Sequence, residues 1–141
     1  MIINGKSRAD GGALGDYLLS EGRYAKNRDE NEGVEIWEAV GVAEGMRLQT
    51  LLRSFELSAA DTQCEKPLFH IQMHTAEGEN LDRQKWLYAV TALEERLGLT
   101  AHDRVIVAHT NDGQDHLHVV WNRIDLDRAA RPNCPMTRAS G

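Results

Sequence analysis

The chain has 141 residues, 41% hydrophobic and 27% charged, which is ordinary for a soluble globular protein and enough for one domain with its own core. No apolar run approaches the roughly 18–20 residues that a membrane helix needs, and no secretory pattern opens the chain, so membrane insertion is not expected. The formal net charge of −6 argues against sequence-independent binding to a polyanion, which uses a broadly basic surface.

In chain order, MIING (1–5) reads as a short edge strand. ALGDYLLSEGRYAK (13–26) predicts a helix whose apolar stripe is Leu14, Leu18 and Tyr17, despite Gly15 and Gly22. NRDENEG is a charged loop. VEIWEAVGV (34–42) has the β-branched and aromatic content of a strand. AEGMRLQTLLRSFELSAAD (43–61) predicts a helix with Met46, Leu48, Leu51, Leu52 and Phe55 on one side. PLFHIQMHT (67–75) alternates: Phe69, Ile71 and Met73 face one way, His70, Gln72 and His74 the other. EGENLDRQKWLYAVTALEERLGL (77–99) predicts an amphipathic helix through Trp86, Leu87, Val90, Leu93 and Leu97 that stops at Gly98. DRVIVAHT (103–110) and DHLHVVWNRI (115–124) are strands around the turn NDGQ, which predicts an antiparallel hairpin. The tail AARPNCPMTRASG looks irregular. Residues 1–125 are therefore expected to form the core and 126–141 a tail or link. The two cysteines, Cys64 and Cys134, lack CxxC spacing and read as free thiols.

His116 and His118 are two residues apart on a strand, so both look to one face. The hairpin brings His109 across from them. Three imidazoles at H-x6-H-x-H spacing make a metal site with open positions, suited to Zn, Mn, Fe or Ni more than to Mg. Such a cation polarises a phosphoryl or carbonyl oxygen. The plainer alternative is that these are hydrogen-bonded strand histidines. Tyr17 and Tyr24, seven residues apart, share a helical face. A tyrosine beside a metal-bound phosphate can attack it and form a covalent phosphotyrosine. The plainer alternative is that both pack the helix on the sheet.

Together these stretches bring a family into view. HTNDGQDHLHVVWNRID resembles the third motif of conjugative relaxases, the nucleases of the HUH superfamily that nick plasmid DNA at an origin of transfer. DYLLSEGRYAK resembles the N-terminal motif of the MobA-type members, in which the first tyrosine, here Tyr17, is the nucleophile. VEIWEAVG and PLFHIQMHT follow the family's order, and the likeness runs from about residue 5 to 125. No tyrosine follows His118, which separates the chain from replication initiators and transposases that carry the tyrosine after the histidines. Relatives often have Asp where Asn111 stands, so Asp112 or Asp115 is the substitute for orienting a ligand imidazole.

The resemblance implies an α+β fold, an antiparallel sheet with helices packed on it, and a bacterial cytoplasmic enzyme. It implies one divalent metal (Mn, Mg, Zn or Ni) on His109, His116 and His118, with Tyr17 attacking the scissile phosphate. The partner is single-stranded DNA at the origin of transfer, with accessory relaxosome proteins and a type IV secretion coupling protein as further partners. Lys6, Arg8, Arg23, Lys26 and Arg123 are candidates to hold backbone phosphates. Tyr24 is a candidate to stack on a base, and His74 to approach the site. His70 and His102 read as structural or exposed. Two other readings compete: a histidine-metal hydrolase of small substrates that uses water, and a non-catalytic DNA-binding domain.

Overall fold

The computed structural model describes residues 2–19, 33–39, 47–60, 62–75, 81–100, 102–111, 114–125 and 131–132. In chain order these form β1 (Ile2–Arg8), α1 (Gly11–Leu19), β2 (Gly33–Ala39), α2 (Leu48–Leu57), β3 (Leu68–His74), α3 (Arg83–Leu97), β4 (Arg104–Asn111), β5 (Gln114–Asn122), β6 (Ile124–Asp125) and β7 (Arg131–Pro132). Five strands make one antiparallel sheet in the order β1-β3-β5-β4-β2. The expected α+β class is what is found, and β5 is its central strand. A separate ribbon pairs Ile124 with Pro132, so the segment after residue 125 carries some regular structure.

The two faces of the sheet are covered by different helices. Leu68, Val105, Val107 and Val120 pack under Leu14 and Leu18 of α1 and Leu48, Leu51, Leu52 and Phe55 of α2, with Tyr17 partly buried against them. On the opposite face Ile71, Met73, Ile106, Leu117, Val119 and Trp121 pack under Trp86 and Val90 of α3. Side chains alternate along each strand, so each strand supplies both layers. Each fully buried aliphatic or aromatic side chain contributes about 1.5–3 kcal/mol relative to exposure. Glu94 of α3 is the one acidic side chain buried in these layers among the described residues. It accepts from Trp121 Nε1 at 2.8 Å and from Arg104 Nη1 at 3.0 Å, and Arg104 continues to Glu38 of β2.

Local chemistry sets the element ends. Asp82 caps α3 by accepting from the Lys85 N–H, and Gly98 ends it in the left-handed conformation at φ 71°. α1 starts at Gly11, earlier than the expected Ala13. Asp10 accepts from the Ala13 N–H at 3.0 Å, and Glu56 reaches from α2 to accept from the Gly11 N–H at 2.8 Å. β1 runs past MIING to Arg8, because the whole of Ile2–Arg8 pairs with β3.

The V-V-x-N-R segment is an anchor. The buried Asn122 side chain exchanges hydrogen bonds with Ser58 and accepts from the Ile124 N–H. The Arg123 N–H donates to the Pro67 carbonyl. Cys64 departs from expectation: it is disulfide-bonded rather than a free thiol. Separation in sequence does not prevent this, since spatial approach of the Cα atoms decides pairing. Among the described residues no helix is long and apolar enough to cross a membrane.

Gly11 and Gly15 face α2 where the two helices meet. A Cβ on Gly11 would sit 2.3 Å from the Leu52 carbonyl carbon and oxygen, and one on Gly15 would sit 2.8 Å from Gln49 Cα. Backbone atoms cannot give way as a flexible side chain can. Gly11→Ala should therefore push α1 off α2 and cost about 1–3 kcal/mol, against the gain in helix propensity that alanine brings elsewhere. Urea unfolding measures this; an unchanged or raised midpoint would show that the helices are not so closely seated.

Candidate active site

β5 lies between β3 and β4, and the register sets which side chains share a face. His116 is opposite His109 on β4 and opposite His74 on β3. His118 is opposite Val107 and Gln72, and Val120 is opposite Val105 and His70. Five of the six histidines thus occupy alternate positions that look toward the α1/α2 layer. The sixth, His102, lies outside this face and hydrogen-bonds the Asn122 carbonyl at 2.7 Å.

Three of the five are packed together. His109 and His118 have ring centroids 4.5 Å apart. The His118 and His70 ring centroids are 5.1 Å apart with 22° between planes, and His70 Nε2 is 2.8 Å from His118 Nδ1, a hydrogen bond between buried rings. His74 and His116 form a neighbouring pair at 5.3 Å, and His74 Nδ1 is buried with no hydrogen-bond partner among the described residues.

Tyr17 closes the group from above. Its ring meets His118 edge-on at 6.3 Å and His70 at 6.4 Å. α1 puts it there because Leu14 and Leu18 are buried on either side of it in sequence and pull the same helical face onto the sheet. Tyr17 also lines an open cleft of about 330 Å³ with Ser7, Arg8, Ala9, Asp10, Ala13 and Leu14. The Arg8 guanidinium carbon lies 5.9 Å from the Tyr17 ring centroid. Its Nε is buried and unpaired among the described residues.

Burial keeps the three packed imidazoles neutral. It lowers His70 from 6.5 to about 3, with the charges of His118 and Arg8 adding to the effect. His109 falls to about 4 through burial and then His118, with the Leu18 backbone pulling the other way. His118 falls to about 4 through burial and then Arg8. A neutral imidazole offers one ring lone pair, the form in which histidine binds a metal. The donor chemistry of this face therefore fits a divalent cation, although among the described residues no three His, Cys, Asp or Glu side chains already converge as a metal cage.

The remaining candidates fall in different places. Lys6 is exposed on β1, opposite His70. Arg123 is buried instead of solvent-facing: it donates to Ser7 Oγ at 2.6 Å and lies 4.6 Å over the Phe69 ring, which ties β1 to the end of β5. Asp115 sits in β5 opposite Thr110. Arg23, Tyr24, Lys26 and Asp112 lie outside the described residues. Sequence alone does not single out His70. Its alternation with His74 is visible there, but nothing local shows that β3 lies beside β5.

A family profile described as relaxase, MobA/VirD2-like, nuclease domain matches residues 19–137, well over half of the chain. The match begins two positions after Tyr17 and includes all five clustered histidines. No curated protein matches the chain.

The buried imidazoles make stability depend on pH in a defined direction. In the unfolded chain each histidine binds its proton below about pH 6.5. The folded, metal-free protein takes those protons up only near the lower values given above, so between them the unfolded state holds more protons. Stability is then full above about pH 6.5 and falls as pH drops toward 4, by up to about 1.4 kcal/mol per pH unit per histidine. Urea unfolding at about pH 7 and about pH 5 should resolve the loss. Equal stability at both would mean that the rings are solvated.

Proposed function

Because the chain belongs to the MobA/VirD2-like relaxase nuclease family, we propose that it nicks and rejoins one strand of DNA at an origin of transfer, with Tyr17 as nucleophile. The observation that carries this reading is the Tyr17 ring held edge-on to His118 and His70 at the mouth of a cleft that also holds Arg8. A nucleophile, a set of neutral imidazoles and a guanidinium share one opening, which is the equipment a phosphodiester transfer needs.

The substrate is single-stranded DNA entering that cleft. Arg8, and Lys6 further along the same strand, bind phosphate oxygens and orient the backbone. The phenol oxygen of Tyr17 forms a bond to phosphorus as the bond from phosphorus to the 3′-oxygen breaks. The phenol loses its proton, and the leaving 3′-oxygen gains one to become a hydroxyl. The 5′ end stays joined to Tyr17 as a phosphodiester, so the step is close to energy-neutral and reverses when a 3′-hydroxyl returns.

The family is divalent-metal dependent, and His109, His116 and His118 are the side chains proposed to hold the ion. When bound, it supplies positive charge to the non-bridging oxygens of the scissile phosphate. The chain's own part is to present lone pairs on uncharged rings and to keep water away from them under α1. Manganese, magnesium, zinc and nickel are the ions to compare. Arg23, Tyr24 and Lys26 for DNA and Asp112 and Asp115 for ligand orientation carry over as proposals, whereas Arg123, buried between Ser7 and Phe69, does not. The accessory proteins and the secretion coupling protein are proposals on the same footing.

The test uses single-stranded oligonucleotides tiling the DNA that flanks the chain's own reading frame, incubated with protein and Mn2+ and run on a denaturing gel. The expected result is a covalent protein–DNA band that is lost with chelator. It should fall by roughly a thousandfold or more in Tyr17→Phe, because a positioned nucleophile is removed while binding is left intact. A band that persists in Tyr17→Phe and disappears in Tyr24→Phe would move the nucleophile to Tyr24. Cleavage with no adduct in either protein would favour a water-using hydrolase.

A further inference from the structure

We propose that His70 is a positioning residue for His118: through its Nε2 it fixes the His118 ring so that Nε2 of His118 is the donor atom offered to the metal. The inference rests on the nuclease reading above for the identity of His118 as a ligand, and goes beyond it in assigning a partner to that ligand. It also relocates the orienting role that Asn111, Asp112 and Asp115 leave open near the hairpin to a strand on the other side of β5.

The geometry allows two arrangements of one proton. His70 Nε2 and His118 Nδ1 are 2.8 Å apart, both rings are buried, and the planes differ by 22°. One nitrogen of the pair must carry the proton and the other must accept it. If His118 Nδ1 donates, His118 Nε2 carries the lone pair and His70 holds its own proton on Nδ1. If His70 donates, His118 must hold its proton on Nε2 and has no lone pair left for a cation. Metal binding therefore selects the first arrangement, in which the His70 lone pair replaces the carboxylate or carbonyl that commonly receives the second N–H of a ligand histidine. A carboxylate in this position would stand buried close to Arg8 and be drawn into an ion pair with it. A neutral acceptor leaves the Arg8 guanidinium for the substrate phosphate. Arg8 pairs with Leu68, two residues from His70 along β3, and its guanidinium carbon lies 5.9 Å from the centroid of the Tyr17 ring that meets both imidazoles edge-on.

Two variants and two readouts test this on the full chain. His70→Leu removes the acceptor, whereas His70→Gln keeps an oxygen at similar reach. Long-range 1H–15N spectra of the metal-free protein report which nitrogen of His118 bears the proton. The wild type and His70→Gln should show His118 protonated at Nδ1, and His70→Leu should shift it to Nε2. Calorimetric titration with Mn2+ or Zn2+ should show affinity about 10–100-fold weaker in His70→Leu and largely restored in His70→Gln. A merely structural His70 would lower the melting temperature of both variants and leave the tautomer of His118 alone. The proposal is overturned if His118 carries its proton on Nε2 in the wild type, or if His70→Leu changes neither the tautomer nor the affinity. Should the wild type bind neither ion, the nuclease reading loses its metal, while the tautomer in the metal-free protein still decides whether His70 fixes His118.

Discussion

The register of β5 between β3 and β4 is the constraint on which the rest of this structure depends. Side chains on a strand alternate with a period of two, so a shift of one residue in either pairing would send His116 and His118 into the layer under α3 and bring Leu117 and Val119 into their place. The register is held at both levels. Leu117, Val119 and Trp121 fill the α3 face, and Asn122 and Arg123 lock the C-terminal end of the strand to α2, to the Pro67 carbonyl and to β1. The anchoring residues directly follow the histidines in sequence. Their work is to make a one-residue slip expensive.

The same face asks for a lid. Imidazoles buried in an apolar layer lose hydration, and folding must offset that loss with packing elsewhere. α1 supplies both the cover and the nucleophile proposed to act there. It is held by a seam of small residues against α2, by a carboxylate from α2 on its first N–H, and by Leu14 and Leu18 in the core. Position of the phenol is therefore a property of helix packing, not of the tyrosine's own contacts. Glycines that weaken an isolated helix are here what allows it to lie close enough to its neighbour.

What could be read from sequence follows from how local each signal is. The alternation of His116 with His118, the return of His109 across a short turn, and the stop of α3 at Gly98 involve residues a few positions apart, so periodicity and turn chemistry suffice for them. The full extent of β1 is not legible in this way, because IINGKSR has no strong strand pattern of its own and is extended by pairing with β3, 60 to 72 residues away. The start of α1 depends on Glu56, at a separation of 45. His70 resembles an ordinary strand histidine for the same reason: its partner His118 is 48 residues away, and only the order of strands in the sheet brings them together.

The net charge of −6 weighs against a polyanionic partner, and the location of charge answers it. A phosphodiester meets the field within about a Debye length of the cleft, roughly 8–10 Å, and not the sum over the chain. Within that range the structure places Arg8, whose buried Nε is unpaired among the described residues, and a set of imidazoles that carry no charge to compete with it. Asp10, the one acidic residue lining the cleft among the described residues, has its Oδ1 engaged by the Ala13 N–H at the start of α1. Neutral histidines matter here for a further reason. A carboxylate ligand set would bind a cation more tightly but would cancel the positive field that draws a phosphate in, whereas the imidazoles proposed as ligands would hold a cation and leave its charge, together with that of Arg8, facing the DNA.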